Sequence, residues 1–334
     1  MHLPCGTVRR MGRVARSLGL AVIVGSVVPG AFGLSAQDLP VYRAEQRLVN
    51  VTFTVTDGRG ASHPSLNRDE FEVYDDGAPR EIVAFSREQD LPLTLGLLFE
   101  TKEVTQAFLE ESRRLTLAFL RGALRPHDRV FLLAERPDTR LLLDETGSLE
   151  AVESMFVDLG RNVQSAPLWR SGWSYKILDD MALALERKLA LRSGRKAILL
   201  IQAGWDWRSK IAREDLIEKL QAADVIVYHL KIPNTIDKVR FVSPVIAPLD
   251  FLFIKRPMSR ICAETGGFQF NEKIFAQGFH RIEEELRCSY TIAFQPGRMT
   301  PDGKFHRIAI RSRKPGLKVR HRPGYRDTAP VPAA

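Results

Sequence analysis

Three kinds of side chain in this 334-residue sequence could do chemistry: adjacent carboxylates, thiols, and tryptophans set among cations. Adjacent acids occur at Asp179-Asp180 and Glu283-Glu284-Glu285, in stretches of helical period, where such runs are ordinarily solvated faces. The seven histidines are scattered, none at ligand spacing with another, and Cys262 and Cys288 have no histidine nearby in sequence. No Gly-x-Gly-x-x-Gly, phosphate loop, His-Glu-x-x-His or Gly-x-Ser-x-Gly occurs. The chain therefore reads as a binding protein, not an enzyme, with no cofactor. All four tryptophans fall in two stretches, Trp169 and Trp173, then Trp205 and Trp207, with Arg170, Arg208 and Lys210 close by in sequence. Indoles interleaved with cations suit a protein-interaction hot spot, and they also suit stacking on sugars or an anionic polymer. Alternatively the indoles pack on each other under residues 233–255, where Phe241, Val245, Leu249, Phe251 and Phe253 would form a lid.

These residues must be positioned by two kinds of element. From Leu48 to Phe85 apolar and polar residues alternate: Val49, Val51, Phe53 and Val55 against Asn50, Thr52, Thr54 and Thr56. Period two marks half-buried antiparallel strands. Phe71–Tyr74, the turn Asp75-Asp76-Gly77 and Glu81–Phe85 read as strand, tight turn, strand. From Leu93 the apolar runs become continuous: Leu93–Phe99, Val130–Ala134, Ala197–Ile201 and Val225–Leu230 suit strands buried on both faces. Helical periods lie between and after them, as at Phe108, Ser112, Leu115 and Phe119, at Phe275, Phe279, Ile282 and Leu286, and from about Ile211 to Ala223. Strands alternating with amphipathic helices predict an α/β, doubly wound, mostly parallel sheet. After Glu285 short strands return at Tyr290–Phe294, Phe305–Arg311 and Leu317–Arg320. With β segments at both ends and α/β between, the terminal strands are expected to form one β-sandwich into which the α/β domain is inserted.

At 44% hydrophobic and 27% charged, the composition excludes collagen, coiled coil, multi-span membrane protein and a wholly disordered chain. The net charge of +9 invites a nucleic-acid partner until its distribution is traced. Arg9, Arg10, Arg13 and Arg16 precede an apolar run, Leu18–Val28, and small residues follow at Leu34-Ser35-Ala36. This is the pattern of a secretory signal, and its run is short of the ~20 residues of a membrane span, so an N-terminal anchor is the lesser alternative. Met11 offers a second possible start. Cleavage after Ala36 lowers the charge from +9 to +5, and export disfavours nucleic acid. The expected setting is secreted or periplasmic, where Cys262 and Cys288 either form a disulfide or remain buried thiols. Ten lysines and arginines face one acid between Arg298 and Arg326. In that stretch Ile308 and Ile310 alternate with Arg307 and Arg311, giving one apolar and one cationic face, which is either a solvated surface or a site for anionic polymer or membrane.

Four stretches together resemble the von Willebrand factor A-related domain of secreted acidobacterial proteins. They are Leu48–Phe85, Leu93–Glu100, Gly194–Gly204 (GRKAILLIQAG) and Ala263–Tyr325. The resemblance implies a von Willebrand A-like, Rossmann-like doubly wound domain flanked by β segments; with the signal and tail read from the residues, the expected boundaries are 1–36 (signal), 37–90 (β module), 91–288 (α/β), 289–327 (C-terminal β segment) and 328–334 (disordered tail). It also implies a divalent-cation adhesion site at the carboxyl edge of the sheet, built from an Asp-x-Ser-x-Ser loop, a Thr and a second Asp. At those places this sequence carries Glu100, Lys102, Val104, Tyr175 and Ala203. An ammonium where a hydroxyl ligand belongs repels a cation, so the site is expected to be degenerate and to hold no metal, with Glu100 joined by Glu103 or Asp179 as the residual way to rebuild a weak one. The function expected is an exported protein-interaction module, adhesive or scaffolding, with an unknown envelope or extracellular protein partner. The alternative is an envelope protein binding carbohydrate or anionic polymer.

Overall fold

The computed structural model describes residues 48–87, 91–100, 106–135, 140–162, 176–202, 206, 209–232, 257–270, 275–297 and 301–327. The continuous apolar runs become the central sheet: β5 (Leu93–Glu100), β6 (Arg129–Glu135), β7 (Arg140–Thr146), β8 (Arg195–Gln202), β9 (Val225–Lys231) and β10 (Gln269–Phe270). Their order is β10-β9-β8-β5-β6-β7, parallel throughout except for β7, which runs antiparallel to β6. Helices α1 (Gln106–Ala123), α2 (Leu149–Asn162) and α6 (Phe275–Cys288) pack on one face through Leu109, Phe119, Phe156, Phe279 and Ile282. Helices α3 (Ile177–Ala184), α4 (Arg213–Ala222) and α5 (Pro257–Glu264) cover the other through Ile177, Met181, Leu216 and Ile261. Burial on both faces explains why β8 reads AILLI without alternation, each such side chain contributing about 2 kcal/mol. Gly96 in β5 belongs to the same packing, since a Cβ there would lie 2.6 Å from the Phe131 ring.

The alternating segments form two further antiparallel sheets. One has the order β13-β1-β11-β4, from β1 (Val49–Thr56), β4 (Ile82–Arg87), β11 (Ser289–Phe294) and β13 (Lys318–His321). The other has the order β14-β12-β2-β3, from β2 (Phe71–Asp75), β3 (Ala78–Arg80), β12 (Phe305–Ser312) and β14 (Gly324–Arg326). Both supply one core: Val51, Phe53, Tyr290, Ile292 and Phe294 from the first, Phe71, Val73, Ile308, Ile310 and Tyr325 from the second. The two chain ends thus share a sandwich, as the alternation predicts. The hairpin is shorter than expected. Asp76 and Gly77 take positive φ (50° and 82°) and turn β2 into β3, whereas Ile82–Arg87 crosses to the first sheet and pairs with β11.

Polar contacts join the first sheet to the α/β part. Thr52 Oγ1 donates to Asp224 Oδ2 at 3.1 Å, Arg320 bonds the buried Glu285 carboxylate, and Arg281 Nη1 donates to the Gly60 carbonyl at 2.6 Å. Arg322, itself buried, donates to the carbonyls of Gln221 and Asn50 and lies 3.6 Å from Asp224. The possible disulfide is not formed. Cys262 is a buried free thiol on α5, and Cys288 a half-buried one ending α6. Burial raises both thiol pKa values, so neither is a ready nucleophile. Among the described residues, no helix is long and apolar enough to cross a membrane.

Candidate functional site

In a doubly wound sheet, ligands meet the carboxyl ends of the strands where the order reverses, here at β5 and β8. Glu100 ends β5 in register with Glu135 ending β6, and Gln202 ends β8 in register with Lys231 ending β9. Along this edge acidic residues occupy one side of the switch point and a lysine the other. Asp179, in the first turn of α3, is already engaged there. Its carboxylate accepts the backbone N–H groups of Lys210 (2.9 Å) and Ile211 (3.0 Å), and its own N–H donates to Ser209 Oγ at 3.1 Å. Ser209 N–H in turn donates to Asp206 Oδ1 at 3.2 Å. Asp179 therefore fastens the segment after β8 to α3, and a carboxylate already accepting from two backbone N–H groups is a weakened ligand for a cation.

Of the other sequence-predicted positions, Glu100 lies on the edge as the last residue of β5. Lys102, Val104, Tyr175 and Ala203 lie outside the described residues, as do Trp169, Arg170, Trp173, Trp205, Trp207 and Arg208 and residues 233–255. The signal at 1–36 and the tail at 328–334 lie outside them too.

Two arrangements escaped the sequence reading. His229, fully buried on β9 near this edge, sits with Nε2 at 2.9 Å from the Gln202 carbonyl, while Nδ1 meets no hydrogen-bond partner among the described residues. Burial chiefly, with Lys231 adding and the Gln202 bond opposing, pushes its pKa down to about 4. The ring is neutral at pH 7, and Nε2–H is the donor. Its position inside an apolar run (VIVYHL) gave no signal of a special role.

The second arrangement lies in the sandwich. His306 Nδ1 is 2.7 Å from Asp76 Oδ2 and Nε2 is 3.0 Å from Asp302 Oδ1, with the Tyr325 ring stacked at 5.4 Å. Among the described residues, the two places where three ligand-type side chains converge both include His306, with Asp75 and Asp76 or with Asp302 and Asp327. Burial opposes its charge, but the bonds and charges of Asp302 and Asp76 prevail and raise its pKa. When protonated, the ring gives both N–H groups to carboxylates and acts as a charge clamp joining the β2-β3 turn to the turn before β12. The spacing of Asp302 and His306 is visible in sequence. Asp76, 230 residues away, is not.

No family model matches the chain, and no curated protein matches it. Solved structures do. An aerotolerance-related membrane protein from Bacteroides fragilis is 15% identical, with 58% of this chain and 98% of that chain covered and a TM-score of 0.42. The vWF domain of the type V pili tip protein Mfa5 from Porphyromonas gingivalis is 9% identical, covering 58% and 94%, at a TM-score of 0.39. Proximal thread matrix protein 1 from the mussel byssus is 12% identical, covering 59% and 48%, at 0.42. The fold is a doubly wound, mostly parallel α/β sheet, with antiparallel sheets flanking the central one.

Proposed function

We propose that the chain is an exported protein-interaction module whose von Willebrand A-like edge works without a metal ion. The observation that carries this reading is Asp179: the acid best placed on α3 to rebuild a cation site spends its oxygens on the backbone of Lys210 and Ile211. The sequence supports it, since Lys102, Val104 and Ala203 stand where the resembled family supplies two hydroxyls and a carboxylate. Export is supported by the basic and apolar N-terminal pattern and by the resemblance to secreted acidobacterial proteins. The setting is secreted or periplasmic, and Trp169, Trp173, Trp205 and Trp207 with Arg170 and Arg208 are the contact residues for an envelope or extracellular protein. Calorimetric titration with Mg²⁺ and Mn²⁺ tests the metal claim: no saturable heat is expected, and binding at one ion per chain would overturn it. Proximity labelling in the exporting cell tests the partner. Trp205→Ala/Trp207→Ala, at unchanged thermal stability, is expected to lose a defined set of labelled proteins. An unchanged set removes the tryptophans from the site.

A further inference from the structure

We propose that the outer face of the β14-β12-β2-β3 sheet is a second binding surface, for an acidic polysaccharide. The alternation of β12 sends His306, Ile308 and Ile310 inward and leaves Arg307, Arg311 and Arg313 exposed on the opposite side. On β2, Phe71 and Val73 go to the core, and Glu72 and Tyr74 face outward. The sandwich's other sheet meets the α/β part through Thr52 and Arg320, and this sheet meets it at its β14 edge, where Arg326 Nε lies 2.6 Å from Glu218 Oε1 on α4, so the row along β12 stays exposed. Residues two apart on a strand are about 7 Å apart, so the three arginines form a row about 20 Å long.

Two of the three cations of this row, Arg307 and Arg311, are held ready rather than consumed. Among the described residues no carboxylate stands within ion-pair distance of the Arg307 or Arg311 guanidinium. Arg311 lies 4.9 Å from the centre of the Tyr74 ring. The Tyr74 hydroxyl donates to Glu72 Oε2 at 2.8 Å, and Glu72 Oε1 is 3.3 Å from Arg313 Nε. One carboxylate thus sets both an arginine and the tyrosine on which a second arginine stacks. Asp76, at the end of the face, is bound by His306. A guanidinium held over an aromatic ring keeps its fork of donors free for a carboxylate. Beside Tyr74 the neighbours in register are Ala309 and Pro79, which leave a flat shelf along the ring, and Phe305 is exposed at the end of the row.

A planar apolar shelf edged by spaced guanidinium forks matches a chain of sugar rings bearing carboxylates. A lipid surface fits less well, because Phe305 is the one exposed large apolar side chain of this face among the described residues, too little to insert. The surface lies on the sandwich, and it stands whether or not the tryptophan loops engage a protein.

The probe is polygalacturonate, with neutral dextran and phosphatidylglycerol vesicles as comparisons, titrated against the full chain. Polygalacturonate is expected to bind, dextran not, with affinity falling as salt rises. Arg307→Gln/Arg311→Gln is expected to weaken binding about tenfold or more at unchanged melting temperature, and Arg311→Lys, which keeps the charge and loses the fork, to weaken it severalfold. Trp205→Ala/Trp207→Ala is expected to leave it unchanged. Absence of binding, indifference to the double arginine variant, loss in the tryptophan variant, or tighter binding to the vesicles would each overturn the assignment.

Discussion

Two buried histidines titrate in opposite senses. His229 has a pKa of about 4 in the folded chain against about 6.5 unfolded, so its neutral burial is fully tolerated above pH 6.5. As the pH falls from 6.5 towards 4 the unfolded state takes up a proton that the folded state refuses, and stability drops by about 3 kcal/mol. His306 is raised by Asp302 and Asp76, so its contribution is complete below pH 6.5 and disappears as the pH rises through its folded pKa. The urea midpoint should therefore fall on both sides of about pH 6.5. His229→Gln should flatten the acid side, and His306→Asn the alkaline side. An acid limb of unchanged steepness in His229→Gln would show that carboxylates alone set it.

Between elements, the most constrained contact is Arg322, in the connection between β13 and β14. It donates to the Gln221 carbonyl in the last turn of α4 and to the Asn50 carbonyl on β1 while standing beside Asp224, which itself accepts from Thr52 on β1. A cation at a helix carboxyl end is also favoured by the negative end of the helix dipole. Arg322→Met leaves two carbonyls without this donor and Asp224 without its counter-ion, and is expected to cost about 3 kcal/mol in urea unfolding, with Arg322→Lys restoring only part. A loss below about 1 kcal/mol would mean that water replaces the guanidinium fully. The elements joined here were legible in sequence: VNVTFTVT alternates because β1 has one core face, and AILLI does not because β8 has two. Their junction was not, because Arg322 looks like one more member of a basic tail until Gln221 and Asn50 are brought to it. Nor was β7 evident, since Leu141-Leu142-Leu143 gives neither period, nor β3, whose three residues include Pro79. At the candidate site, Glu100, Lys102 and Ala203 are read only against the pattern of the resembled family, whereas the engagement of Asp179 depends on a loop 30 residues further along.

For the whole molecule, the inserted topology dictates an order of folding. Thr52 on β1 faces Thr291 on β11 across 239 residues. Closing that loop in an unfolded chain costs about 3 kcal/mol more than closing a hairpin of about ten residues. The central sheet pairs β5 with β6 and β8 with β9 over much shorter separations. Once it forms, β4 leads into β5 and α6 leads directly into β11, so the distant ends are delivered by the folded insert and most of the closure cost is already met. Pulse-labelled hydrogen exchange during refolding should accordingly protect β5, β8 and β9 before β1 and β11. A chain ending at Cys288 sharpens the test. It loses β11 and β12, inner strands of the two sandwich sheets, and with them the partners of Val51, Phe53, Phe71 and Val73. It should still protect β8 while β1 exchanges freely. Protection of β1 no later than β8 in the full chain would mean that the terminal strands find each other first, and the insert would then be a passenger of the sandwich rather than its scaffold.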